Sequence, residues 1–431
     1  MSRNAEAALL AAAAVIAAFG VTLVNLASAR GMDTQVALTF LVFVLAFGGL
    51  HVAARQWAPA GSPFLLPLSA LLTTIGFVEI YRLDTRLAGL QRWWIVIGAT
   101  LAIVTLLALT RAGTDVIRRY RYIFLAIALL LLLLPLLPLD WGFPIRGRLV
   151  NGSRLWVAAD FGFIDIQFQP GELVKVLLVG FLASYLAERQ QALSMMTRRV
   201  GRFTVPEPRQ VLPLAIAWTA SFGVLVYQRD LGASLLLFTV FVAMVYAATG
   251  RAAYLVAGGG MFAVGAVTAW ATFAHVQPRI QAWLSPFTYY ETTGYQVANG
   301  LFAMGSGSLS GAGLGLGRPN LIPFAATDFI FAAVAEELGY PGSVVVLSLF
   351  GLLVAVGIGI ALRSRDLFRK LLAAGLTFTL GLQAVLIVGG VVRLFPLTGI
   401  TLPFMSYGGS SLVSNFVIVA LLIRISHEER S

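Results

Sequence analysis

Along the chain, apolar runs of about twenty residues alternate with shorter polar breaks. A helix of that length crosses about 30 Å of hydrocarbon. The pattern predicts twelve spans, over 5–28, 34–54, 63–81, 92–110, 121–139, 170–187, 210–227, 231–249, 252–273, 338–361, 371–392 and 404–424. The breaks differ in charge. RAGTDVIRRYRY (111–122), the stretch 188–209 and RSRDLFRK (363–370) are rich in arginine. Loops of that kind stay on the cytoplasmic side. The alternation places both termini in the cytoplasm and sends 140–169, QRDLG (228–232) and the long segment 274–327 outward.

The first run resembles a signal peptide, because MSRNAEAALLAAAAVIAAFG is followed by LASA. Its apolar stretch is longer than a signal core and further spans follow at once, so it reads as an uncleaved first span. Most of the Gly and Pro punctuation lies in the outward segments. Irregular backbone at membrane depth is tolerated only inside protein or beside a wet cavity. Function is therefore expected on the outer face.

Composition sharpens this picture. Of 431 residues, 59% are hydrophobic and 11% charged, with a mean hydropathy of +0.87. Soluble domains carry roughly 25% charged residues, so the chain is an all-α polytopic membrane protein. The net charge of +11 gathers in short loops, which argues for topology and against a nucleic-acid partner. The absence of cysteine excludes disulfides and thiolate chemistry. His51, His275 and His427 are scattered, with no metal-ligand spacing.

Charged residues that break the hydropathy pattern are the candidates for chemistry. In RGRLVNGSRLWVAADFGFIDIQFQPGELVK (146–175), Arg146, Arg148 and Arg154 lie on the side where arginine should be scarce. A planar guanidinium suits phosphate oxygens, either of a pyrophosphate-bearing ligand or of lipid headgroups. Trp156 fits an interfacial belt as well as a ligand contact. Glu172 and Lys175 follow Pro170 at i, i+3 spacing, which suits an ion pair or a substrate contact. Arg229 and Asp230 could neutralise each other in QRDLG. The run MGSGSLSGAGLGLGRPN (304–320) lacks the lysine of a P-loop and reads as an anion nest or a flexible re-entrant loop.

TDFIFAAVAEELGYPG (327–342) places Asp328, Glu336 and Glu337 close together. A bare carboxylate at the centre of a membrane helix costs about 2.5–3.5 kcal/mol, so three need a reason. Thr327 or Asp328 could cap the following helix. A positioned carboxylate near arginines also suits a general base that deprotonates a sugar hydroxyl. In RLFPLTGITLPFMSYGGSSL (393–412), prolines and glycines predict a kinked or broken helix near the outer boundary.

Together these segments resemble the RodA/FtsW/SpoVE (SEDS) family of bacterial cell-wall proteins. The matching pieces are NGSRLW (151–156), QPGELVK (169–175), RDLGAS (229–234), GYQ (294–296), GSGSLSGAGLG (305–315), TDFIFAAVAEELGYPG and PLTGITLPFMSYGGSSL (396–412). They occur in the family's order, and PLTG leans towards the RodA branch. The resemblance implies a family core of ten spans plus an extra N-terminal pair of no assigned role, divided into an N-terminal transmembrane region at 1–120 that includes the two extra spans and a SEDS-like catalytic core at 121–431. It implies a large outer loop at 274–337 with re-entrant or short helices. Gly171 stands where the family favours serine.

The activity implied is that of a peptidoglycan glycosyltransferase polymerising lipid II on the outer face of the bacterial plasma membrane, for elongation or division. Asp328 is then the catalytic base. Arg154, Arg279, Arg318 and Lys175 would meet the pyrophosphate of the undecaprenyl-linked glycan, with Gln296 and Ser410 as further substrate contacts. Glu172, Asp230, Glu336 and Glu337 take supporting roles. A divalent cation (Mg or Mn) could share the charge stabilisation, although no ligand set identifies one. The implied partners are lipid II, membrane lipids and a class B penicillin-binding protein. The rival readings are a lipid II flippase, a transferase using another polyprenyl-linked glycan, and a non-catalytic scaffold of the wall-synthesis complex.

Overall fold

A computed structural model describes residues 2–29, 31, 34–138, 145–150, 153–160, 165–194, 198–200, 203–205, 212, 216, 219, 223, 228, 230–274 and 276–430. Ten of its helices are long and apolar enough to cross a membrane. They are α1 (Arg3–Ala27), α2 (Thr34–Trp57), α3 (Leu65–Leu83), α4 (Thr85–Ala112), α7 (Pro170–Ser194), α8 (Leu231–Thr249), α9 (Ala252–Thr272), α12 (Ile330–Arg363), α13 (Leu367–Val391) and α14 (Gly409–Glu428). The apolar helical stretch Arg121–Leu136, which begins with α6 (Arg121–Leu133), takes the place of the expected span at 121–139. Most of the expected span at 210–227 lies outside the described residues, as does Arg229. Shorter helices among the described residues are α5 (Asp115–Arg119), α10 (Gln277–Leu284) and α11 (Tyr295–Gly307).

One compact unit comprises 1–110, 265–356 and 380–431. Small residues build its helix contacts. On α1, Ala13, Ala14, Ala17, Val21 and Val24 are buried, whereas Val15, Ile16 and Phe19 are exposed. This is inside-out relative to a soluble helix. Lipid solvates large apolar side chains, and small ones let backbones approach. Gly20 meets Val78 of α3, and Tyr81 donates to Asn25 Oδ1 at 2.9 Å. At the other end of α1, Arg3 pairs with Glu6 at 2.5 Å and donates to the carbonyls of Ala58 and Gly61. Glu6 also meets His51 Nδ1 at 3.0 Å. Helix α14 is buried along nearly its whole length and holds Phe416 against Phe47 and Phe404.

The second unit comprises 111–264 and 357–379. Helix α7 is its core, packed on α6 and α8. Arg121 pairs with Glu188, and Arg369 with Asp115 at 3.5 Å. The segment expected to be irregular outer loop instead forms an antiparallel sheet. Its strands are β1 (Ile145–Val150), β2 (Ser153–Asp160) and β3 (Asp165–Phe168), in the order β1-β2-β3. The sequence does carry the signal, since Asn-Gly between two runs of β-branched and aromatic residues favours a hairpin. Asn151 and Gly152 themselves lie outside the described residues. A further pair, β4 (Arg198–Val200) and β5 (Phe203–Val205), lies in the arginine-rich break.

The inward stripe of α1 is directly testable. Ala17→Leu overpacks a closed contact and is expected to cost about 1–3 kcal/mol. The neighbouring outward change Ile16→Leu should stay within about 0.5 kcal/mol. Thermal unfolding of the purified protein in detergent reads both.

Candidate active site

Asp328 lies in the turn just before α12. Phe329 beside it is fully buried, with its ring against Gly300 of α11. That anchor turns the neighbouring Asp328 the other way, where it stays half-buried. It lines a small open cleft with Ile387, Gly390 and the stretch Leu397, Thr398, Gly399 and Ile400. Among the described residues its carboxylate caps no helix amide, so the capping role considered for it is not the one it takes.

The opposite wall is the broken helix foreseen at 393–412. After α13 the chain runs extended and turned from 392 to 408 before α14 begins. Its polar backbone is tied down on every side. Gln383 Nε2 donates to Thr401 O at 2.8 Å. Ser406 Oγ accepts from Leu402 N at 2.8 Å and donates to Thr327 O at 2.5 Å. Tyr407 N donates to Ala326 O at 2.7 Å. The acid's turn and the broken helix are thus one hydrogen-bonded assembly.

Arg279 of α10 donates from Nη1 to Leu397 O at 3.2 Å and to Thr398 O at 3.0 Å. Gly399 adopts φ +72°, and a Cβ there would lie 3.6 Å from Arg279 Nη2 and 3.9 Å from Asp328 Oδ2. Glycine satisfies the left-handed turn, and a Cβ there would only touch the two charged groups. Burial pushes the Asp328 carboxyl up to about 6, against the lowering effects of the Arg279 charge and a Thr327 hydrogen bond. A carboxylate in that range is ionised at neutral pH yet basic enough to accept a proton.

The other two acids of the motif do different work. Glu336 Oε1 accepts from Arg318 N at 2.8 Å. Glu337 accepts from Gly315 N at 2.8 Å and from Arg82 Nε at 3.0 Å. Just beyond them Gly339 leaves helical geometry at φ 64°, ψ −158°. Their orphaned carbonyls accept from Ala312 N and Gly313 N, each at 2.9 Å. Both acids are therefore structural, and the glycine-rich run is a fixed loop rather than a flexible one.

The remaining candidates divide clearly. Arg318 is exposed at the end of that loop. Gln296 Nε2 donates to Pro323 O at 3.2 Å, a tie within the segment between α11 and α12 and its flank. Ser410 is buried in the first turn of α14. In the second unit, Arg154 stands on β2, half-buried. Glu172 and Lys175 form a buried ion pair at 2.5 Å in the first turns of α7. Asp230 caps α8, accepting from Ala233 N at 2.9 Å. Among the described residues no three His, Cys, Asp or Glu side chains converge to hold a metal. Arg82 and the buried Glu79 escaped the sequence reading. The available signal was an arginine at the outward end of a span, in YRLDTR, where positive charge is disfavoured.

Comparison with known proteins then decides the family. The model of the FtsW/RodA/SpoVE cell cycle proteins matches residues 63–431. The chain belongs to that family. It is 40% identical to the peptidoglycan glycosyltransferase RodA of Mycobacterium tuberculosis, over 99% of this chain and 91% of that protein. Stage V sporulation protein E of Bacillus subtilis is 35% identical over 67% of this chain and 75% of its own length. Among solved structures, a chain of a peptidoglycan synthase complex that coordinates polymerization and crosslinking superposes with a TM-score of 0.66 at 26% identity. That match covers 86% of this chain and 98% of the other. The Thermus thermophilus rod shape determining protein RodA gives 0.58 at 28%, with the same coverages. The family match begins after α1 and α2, and the mycobacterial alignment includes them.

The Glu172–Lys175 pair separates a structural from a substrate role. Lys175→Met strands a buried carboxylate and is expected to destabilise by about 3–5 kcal/mol. Adding Glu172→Gln should restore most of that loss. Unfolding temperatures of the two variants check it, and a double variant as unstable as the single one contradicts the pairing.

Proposed function

We infer that the chain is a peptidoglycan glycosyltransferase that polymerises lipid II into glycan strands, with Asp328 as general base. The observation that carries this reading is the Asp328 carboxylate. It is partly desolvated at a cleft beside Arg279 and left out of the capping that occupies its neighbouring acids. The names of the similar RodA proteins support it.

In the proposed step, the 4-hydroxyl oxygen of GlcNAc in an incoming lipid II attacks MurNAc C1 of the growing glycan. The new glycosidic bond forms as the C1–O bond to undecaprenyl pyrophosphate breaks, with inversion at C1. The hydroxyl proton passes to Asp328 and then to water. Arg279, whose Nη1 is held by two carbonyls, keeps the base charged and oriented. Arg318 is the guanidinium candidate for the departing pyrophosphate.

The charge of the breaks supports an outward-facing cleft. Helix α12 starts beside Asp328 and closes with Arg363, ahead of the basic stretch 363–370. Both termini are then cytoplasmic. A class B penicillin-binding protein is the partner proposed to crosslink the strands, in keeping with the synthase complex among the structural relatives.

With the partner transpeptidase and labelled lipid II, wild-type protein should make glycan strands and Asp328→Asn none, at an unfolding temperature no lower than wild type. Strands made equally well by the variant overturn the assignment, and lipid scrambling without polymer points to a flippase. Only the ionised carboxylate accepts the proton, so the rate should rise with pH through about 6. For topology, Ser308→Cys provides the sole thiol in a cysteine-free chain. A reagent confined to the periplasm should label it, and protection there contradicts the orientation.

A further inference from the structure

The glycine-rich loop carries a control point outside every motif that suggested function. From α3, Arg82 donates through Nε to Glu337 Oε1 at 3.0 Å and through Nη2 to Gly317 O at 2.9 Å. Glu337 passes the contact on to Gly315 N, and Glu336 holds Arg318 N. Gly317 has no room for a side chain, since a Cβ would lie 2.9 Å from Glu337 Cγ. Gly315, at φ +82°, packs against α1, where a Cβ would lie 2.7 Å from that of Ala27. The loop is thus gripped by α12 through two carboxylates, by α3 through one guanidinium and by α1 through a close contact.

What this grip presents is Arg318. Its backbone is fixed, its side chain is exposed, and among the described residues its guanidinium has no hydrogen-bond or ion-pair partner. A free guanidinium on an anchored backbone suits an anionic oxygen of a ligand, because little backbone entropy is lost on binding. The two contacts of Arg82 use the fork geometry of a guanidinium, which an ammonium cannot reproduce in full.

We propose that Arg82 is a positioning residue that sets the glycine-rich loop through Glu337 and Gly317, so that Arg318 meets the phosphate groups of the polyprenyl-linked substrate. The extra helix α1 braces the same loop from behind, which gives the N-terminal pair a role. The proposal rests on the polymerase reading above. It concerns substrate capture rather than proton transfer, so Arg82 acts on KM and leaves the base alone.

The test is a double-mutant cycle in the polymerisation assay, with unfolding temperatures measured for each variant. Arg318→Ala is expected to raise KM for lipid II roughly ten-fold or more, the scale of one charge-assisted hydrogen bond. Arg82→Ala should raise KM by a similar factor with kcat nearly kept, and Arg82→Lys should recover part of the loss. In the Arg318→Ala background, Arg82→Ala should add little, because its effect runs through a group already removed. Independent, multiplying effects overturn the proposal, as does a fall in kcat at unchanged KM. Where Arg82→Ala fails to fold, Glu337→Gln replaces it in the cycle, with the same outcomes. Asp328→Asn in the same series keeps the two claims apart. Its full activity sinks the polymerase reading, whereas a dead Asp328→Asn beside a multiplying cycle sinks this proposal alone.

Discussion

A broken helix near a membrane leaves backbone groups that lipid cannot satisfy, and the architecture of this chain follows from that constraint. There are two such breaks in the unit that carries Asp328, one at Gly339 and one between α13 and α14. At the first, Glu336 and Glu337 take up loop amides with their side chains and their carbonyls. At the second, Arg279, Gln383 and Ser406 serve carbonyls and an amide of 397–406. Most charged and polar groups here are therefore architectural. Asp328 stands apart because, among the described residues, its carboxylate holds none of these backbone groups.

The cleft then tunes that carboxylate with two opposed effects. Burial disfavours the charge and the Arg279 guanidinium favours it, which leaves the group titrating at about 6. The compromise is possible because Arg279 is itself held by Leu397 O and Thr398 O. Gly399 supplies the left-handed turn beside both groups. The same loop-holding logic extends to Arg82 and Arg318, and the contact of Gly315 with Ala27 ties α1, which lies outside the family match, to the glycine-rich loop.

Much of this was legible in the chain. Twenty-residue apolar runs announce spans because bilayer thickness sets their length, and all but the one at 210–227 have helices among the described residues. The three acids of TDFIFAAVAEELG stood out as breaks in an apolar run, but only the fold shows that Glu336 and Glu337 bind loop amides while Asp328 lines a cleft. The three strands at 145–168 were missed because short amphipathic segments between spans read as loop. Arg82 was missed because its partner lies 255 positions away, and a lone arginine at a span end looks like an interfacial anchor. Gln296 donates to Pro323 O from a half-buried position and Ser410 is buried in the first turn of α14, which a motif does not foretell. A motif marks where backbone must be held as readily as where a substrate binds.

The central claim is that Asp328 is held ionised but basic by desolvation against Arg279. The most direct test is a titration of the Asp328 carboxyl carbon by NMR, in protein labelled with carbon-13 aspartate and assigned through Asp328→Asn. The account predicts an inflection near 6 that moves upward when Arg279→Met removes the neighbouring charge. An inflection at the ordinary aspartate value of about 4, unmoved by that substitution, would contradict it.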